Sequence, residues 1–130
     1  MPTPLVCVAD DDQLIHFTFK KLITGASWPV EVLPFYDGEQ LLKYLSDNAD
    51  NIDALPVVIL LDLNMPFVDG WEFLDRYKGI KTKLKRTADI YVIASHPTEK
   101  DLAAANADPD VKACIMKPVT RAKIEAIFKT

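Results

Sequence analysis

Short apolar runs recur along the chain, and four of them stop at a polar residue. Leu5-Val6-Cys7-Val8-Ala9 is followed by Asp10 and Asp11. Val57-Val58-Ile59-Leu60-Leu61 is followed by Asp62. Ile90-Tyr91-Val92-Ile93-Ala94 is followed by Ser95, and Ala113-Cys114-Ile115-Met116 by Lys117 and Pro118. A fifth run, Val30 to Phe35, ends near Tyr36. Continuous apolar runs of this length mark strands buried in a parallel sheet. Between them lie stretches with helical spacing. Asp12 to Thr24 carries Ile15, Phe19, Leu22 and Ile23 on one stripe, and Gly25 is expected to close it. Asp37-Gly38-Glu39-Gln40 reads as a capping box opening a helix over Glu39 to Leu45. Trp71 to Gly79, Thr98 to Ala107 and Thr120 to Phe128 are the other predicted helices.

Strands that alternate with helices predict right-handed βαβ units and a parallel sheet. The expected fold is α/β, a five-stranded doubly wound sheet in flavodoxin-like order 2-1-3-4-5 with helices on both faces. Ligands in such sheets bind beyond the carboxyl ends of the strands, where strand order reverses. That order places the first and third strands side by side, so Asp10, Asp11 and Asp62 should converge. The polar stretch Ser46 to Ala54 is expected to be a solvated loop. Asn64 to Gly70 is a turn-rich loop, and Lys78 to Arg86 a basic linker.

At 130 residues the chain is expected to be one domain, 1–130. An apolar fraction of 49% fits a packed core, and with a net charge of −4 nucleic acid is not expected as a partner of the surface as a whole. Cys7 and Cys114 both lie inside apolar runs, as small core hydrophobes do. With no leader pattern and no run long enough to span a bilayer, a cytoplasmic protein without membrane contact is expected.

Three carboxylates in one cleft repel each other. At ~4 Å each pair costs about 4 kcal/mol at an effective dielectric near 20. A divalent cation removes that repulsion, and an all-oxygen site suits Mg²⁺. Lys117 would add a mobile positive charge and Ser95 a hydroxyl donor. A carboxylate nucleophile, a metal, a lysine and a hydroxyl are what phosphoryl transfer to an aspartate requires.

Val8-Ala9-Asp10-Asp11-Asp12, Leu61-Asp62-Leu63-Asn64-Met65-Pro66 with Asp69-Gly70, and Met116-Lys117-Pro118 together resemble the response-regulator receiver domains of two-component signalling. The resemblance covers nearly the whole chain. It implies that Asp62 accepts the phosphoryl group, and that Asp10, Asp11, Asp62 and the Asn64 carbonyl hold Mg²⁺ (or Mn²⁺). It also implies that Ser95 and Lys117 contact the phosphoryl group and that the bond before Pro118 is cis. A histidine kinase or histidine phosphotransfer protein would be the donor. Output would pass to a protein through helix four, strand five and helix five, or onward as phosphate in a relay. Such a domain is a switch rather than an enzyme with outside substrates. The chain ends at Thr130, just after the last predicted helix, so a stand-alone receiver acting in trans is expected. An excised fragment of a larger regulator would read the same.

Two positions depart from the family pattern. Cys114 stands where most receivers carry Tyr or Phe, so the aromatic half of the usual switch is missing or carried elsewhere. His96 stands where a small residue is usual, and is expected to restrict phosphoryl access. Two other readings stay open. One is a pseudo-receiver that never takes phosphate. The other is an aspartyl-phosphate phosphatase using Asp10, although Gln13-Leu14 do not match that family's context.

Overall fold

The computed structural model describes residues 3–26 and 29–128. The strands are β1 (Leu5–Ala9), β2 (Glu31–Phe35), β3 (Val58–Asp62), β4 (Asp89–Ala94) and β5 (Val111–Met116). The helices are α1 (Gln13–Ala26), α2 (Gly38–Asp47), α3 (Gly70–Ile80), α4 (Glu99–Ala107) and α5 (Arg121–Phe128). All strand pairings are parallel, in the order β2-β1-β3-β4-β5. The expected fold and strand order are both present.

Two cores lie on opposite faces of the sheet, because successive side chains along a strand point to opposite sides. Cys7, Ala9, Ile59, Leu61, Ile90 and Val92 face one way and meet Leu41, Leu45, Phe73 and Tyr77 of α2 and α3. Val6, Val8, Leu60 and Ile93 face the other way and meet Phe19 and Ile23 of α1 and Ile124 and Ile127 of α5. Each fully buried large side chain contributes about 2–3 kcal/mol. This two-sided burial explains why β1 and β3 are apolar at every position up to their carboxylates.

Several local expectations need correction. Gly25 does not close α1, which runs to Ala26, and no described glycine has positive φ. The Ser46 to Ala54 stretch is not wholly loop. α2 extends to Asp47, and Ile52–Ala54 forms a 3₁₀ turn whose Ala54 carbonyl accepts from the Tyr44 hydroxyl at 2.7 Å. The capping box at α2 is displaced. Asp37 accepts from the Gln40 N–H at 2.8 Å, but Gln40 Oε1 accepts from Tyr36 N, one residue before the cap.

The basic stretch is not a free linker. Lys78 lies in α3 and Lys81 opens a 3₁₀ turn, Lys81–Lys83. Lys78 Nζ sits 2.7 Å from Asp108 and 3.2 Å from Asp110, and Lys81 Nζ 2.7 Å from Asp110. This ion cluster ties the end of α3 to the turn that enters β5. Nor is β5 a buried strand. It is an edge strand with none of its six residues fully covered, and Met116 is 53% exposed. An apolar run reports that side chains can be covered, not that both faces are. Cys7 is buried, Cys114 half-buried, and both are free thiols. Trp71 packs against the α2–α3 core. Trp28, whose place before the second apolar run suggests a shield for the first helix-to-strand turn, lies outside the described residues. Among the described residues no helix is long and apolar enough to cross a membrane.

Candidate functional site

Sheet register builds the site. Ala9 is paired with Leu61, so the next residues, Asp10 and Asp62, leave adjacent strands at the same level. Ala94 is paired with Met116, so Ser95 and Lys117 leave at a matching level on the other side. Leu63 N donates to Ile93 O at 3.1 Å and Lys117 N to Ala94 O at 2.8 Å, carrying the pairing on to the strand ends. Four chain segments therefore open onto one end of the sheet.

Asp10 is fully buried and Asp62 is 3% exposed, whereas Asp11 is exposed. One carboxylate oxygen from each lies within 4.8 Å of the others. Lys117 Nζ is 3.0 Å from Asp10 Oδ2 and 3.5 Å from Asp62 Oδ2. Asp10 Oδ1 accepts from Asp12 N at 2.9 Å, and Asp62 Oδ1 from Asn64 N at 3.2 Å. Asp12 caps α1 by accepting from Leu14 N at 2.9 Å.

The electrostatics show one positive charge facing too many negative ones. Burial, then the Asp10 charge, push the Asp62 carboxyl up to about 6, against the Asn64 N–H and the Lys117 ammonium. Burial pulls the Lys117 ammonium down, but Asp10 and Asp62 outweigh it and its pKa is raised. Three clustered carboxylates faced by one ammonium, with Asp62 raised by burial and by the Asp10 charge, leave room for a further cation. Three clustered carboxylates are a hard oxygen donor set, which fits Mg²⁺ or Mn²⁺.

The loop after β3 is held from two sides. A Cβ on Gly70 would lie 2.8 Å from the Asp62 carbonyl oxygen and 2.8 Å from Leu63 Cα. One on Gly38 would lie 2.8 Å from the Val68 carbonyl oxygen. Only glycine allows these approaches. Between them Phe67 has φ 64° and Val68 N donates to Pro66 O at 2.8 Å, a tight turn in a strained region for a bulky residue. The Phe67 ring is 90% exposed.

The structure thus brings Asp10, Asp11, Asp62 and Lys117 together, with the Asn64 N–H on Asp62. Ser95 and His96 follow β4 with exposed side chains. Cys114 stands apart, half-buried in β5, its thiol raised by burial and by Asp101 of α4. The Lys117–Pro118 bond is cis. Sequence reasoning missed two residues that hold this framework. His16 Nε2 lies 2.8 Å from Asp10 O, and Lys123 Nζ donates to Met116 O at 2.6 Å and Pro118 O at 3.0 Å. Both bond to backbone carbonyls, which no residue pattern encodes.

The chain belongs to the response regulator receiver domain family, whose model matches residues 6–129. It is 31% identical over 122 residues to the probable methanogenesis regulatory protein FilR2 of Methanothrix harundinacea (strain 6Ac). That match covers 92% of this chain and 74% of that protein. A two-component response regulator from Cytophaga hutchinsonii superposes with TM-score 0.85 at 24% identity, covering 99% of this chain and 96% of the other. The Mn(2+)-bound form of response regulator Rcp1 gives TM-score 0.76 at 21% identity, covering 95% and 88%.

Proposed function

We propose that this chain is a phosphorylation-dependent switch in which Asp62 accepts a phosphoryl group from a phosphohistidine on a partner kinase or phosphotransfer protein. The convergence of Asp10, Asp11, Asp62 and Lys117 at one end of the sheet carries this reading. An ionised Asp62 oxygen attacks phosphorus, the O–P bond forms and the N–P bond of the donor breaks. The imidazole leaves with its electron pair, and the product is an acyl phosphate on Asp62. Asp10, Asp11, Asp62 and the Asn64 carbonyl would hold Mg²⁺. Bound there, the ion supplies charge neutralisation for the incoming phosphoryl oxygens.

Lys117 already spans Asp10 and Asp62, and it is placed to exchange a carboxylate partner for a phosphoryl oxygen. Ser95 would donate its hydroxyl to the same group, and His96 beside it would narrow the approach. A new dianion on Asp62 favours whichever arrangement brings Lys117 and Ser95 closest, so it biases a pre-existing equilibrium. The output surface we assign is α4, β5 and α5. Leu102 there is 40% exposed, Met116 is 53% exposed and β5 is half-covered. Leu14 at 65% and Phe17 at 59% exposure offer apolar contact on α1, beside Asp10, for the protein that brings the phosphoryl group. Chemistry is confined to the domain's own aspartate, so it has no turnover of outside substrates.

The test is incubation with Mg²⁺ and acetyl phosphate, read by intact mass, with Asp62→Asn alongside. A Mg²⁺-dependent phosphate adduct that Asp62→Asn abolishes is expected. No adduct would favour a pure interaction module, and an adduct retained by Asp62→Asn and lost with Asp10→Asn would favour a phosphatase.

A further inference from the structure

Asp11 is the one exposed carboxylate of the cluster, so its direction depends on the peptide that joins it to Asp10. The Asp10 N–H is fixed by donation to Phe35 O at 3.0 Å. The Asp10 side chain is fixed by Asp12 N and Lys117. The Asp10 carbonyl, which begins the Asp10–Asp11 peptide, is held by His16 at 2.8 Å. His16 follows Asp10 by six residues and stands in the first turn of α1. Its ring is 8% exposed and lies 4.7 Å from the Tyr36 ring, at an interplanar angle of 58°.

We propose that His16 is a positioning residue for the divalent cation, acting through the Asp10–Asp11 peptide. This rests on the reading above that Asp10 and Asp11 bind that cation. A carbonyl oxygen only accepts, so Nε2 must carry the hydrogen. His16 Nδ1 is buried with no hydrogen-bond partner, so a hydrogen there would be an unsatisfied buried donor. The Nε2–H tautomer satisfies both observations. Helix α1 and the Tyr36 ring hold the imidazole in place, so the bond immobilises the carbonyl rather than following it. With that bond, the peptide plane is set before the ion arrives and Asp11 projects toward Asp10 and Asp62. Without it, repulsion from those two carboxylates turns Asp11 outward, and binding must reorder the loop. Groups that orient metal ligands from behind commonly set affinity by an order of magnitude or more.

The test is Mg²⁺ affinity by titration calorimetry on the wild type, His16→Leu and His16→Gln, with thermal melts on each. Leu keeps bulk without a donor, and Gln places an amide N–H near the Nε2 position. His16→Leu is expected to bind Mg²⁺ about tenfold more weakly, and His16→Gln to recover to within about threefold of wild type. A merely structural role would lower both melting temperatures and leave the affinity of the folded proteins unchanged. Long-range ¹H–¹⁵N spectra of the wild type should show the His16 hydrogen on Nε2, a result that does not depend on any variant folding. Equal affinity of folded His16→Leu and wild type, or a hydrogen on Nδ1, would overturn the proposal alone. Absence of Mg²⁺ binding by the wild type would overturn the cation reading with it.

Discussion

Strands β1 and β5 both deliver charged residues to the same site, Asp10 and Asp11 from one and Lys117 from the other, yet their surroundings are opposite. All five residues of β1 are buried between two helical layers, and Asp10 follows them at 0% exposure. No residue of β5 is fully buried, and α4 beside it buries only Ala105. Local stability follows buried apolar contact. The carboxylate side of the site is therefore fixed by the most stable part of the fold. Lys117 stands on the part that can rearrange at least expense. The proposed switch would use this division, with the group that receives phosphate held in place and the group that reads it free to move.

The largest expected effect tests that contrast directly. Leu60→Ala, in the buried β3, should lose about 3–4 kcal/mol of stability, and Ile115→Ala in β5 about 1 kcal/mol. Urea unfolding would measure both, and equal losses would erase the difference between the two sides. Next is Gly70→Ala, which puts a Cβ 2.8 Å from the Asp62 backbone. We expect a loss of about 2–3 kcal/mol and slower phosphate uptake from acetyl phosphate. Gly79→Ala, with nothing within 4 Å of the added Cβ, is the control and should be neutral or slightly stabilising.

Asp62→Asn should stabilise the unphosphorylated domain. The folded carboxyl is raised from 3.8 to about 6, so the native state binds its proton more tightly than the unfolded chain does. Wild-type stability then falls as pH rises through that window and stays lower above it. The advantage of the Asn variant should be near zero below about pH 4, grow toward pH 6, and level off at about 2 kcal/mol. Calorimetry across pH would show this, and saturating Mg²⁺ should shrink it. A constant advantage at every pH would mean that charge repulsion is not its source. The smallest effect is expected at the movable side's rim. His96→Ala should change phosphate uptake from acetyl phosphate, or its later loss, by about two- to threefold. Unchanged rates would leave His96 an ordinary loop residue.

The buried side was also the more legible one. Leu5 to Ala9 and Val57 to Leu61 are apolar without interruption because both sheet faces are covered, so strand, order and adjacent carboxylates could all be read. Ala113 to Met116 looks the same in sequence but lies at an edge, since a run of letters does not report what covers it. Lys78 and Lys81 read as solvated because their partners, Asp108 and Asp110, lie about thirty residues away in sequence. Gly25 reads as a helix stop, but α1 continues through it. His16 and Lys123 left no trace, because each acts on a carbonyl that every residue possesses.

The Lys78, Lys81, Asp108 and Asp110 cluster has a mechanical consequence. It fastens β5 at its entrance, whereas Lys117 leaves the other end, six strand residues away or about 20 Å. The ladder to β4 runs from that cluster to Lys117, whose N–H donates to Ala94 O at 2.8 Å. A pull on Lys117 would therefore travel along hydrogen-bonded backbone toward the ion cluster, at the end of the strand farthest from the carboxylates.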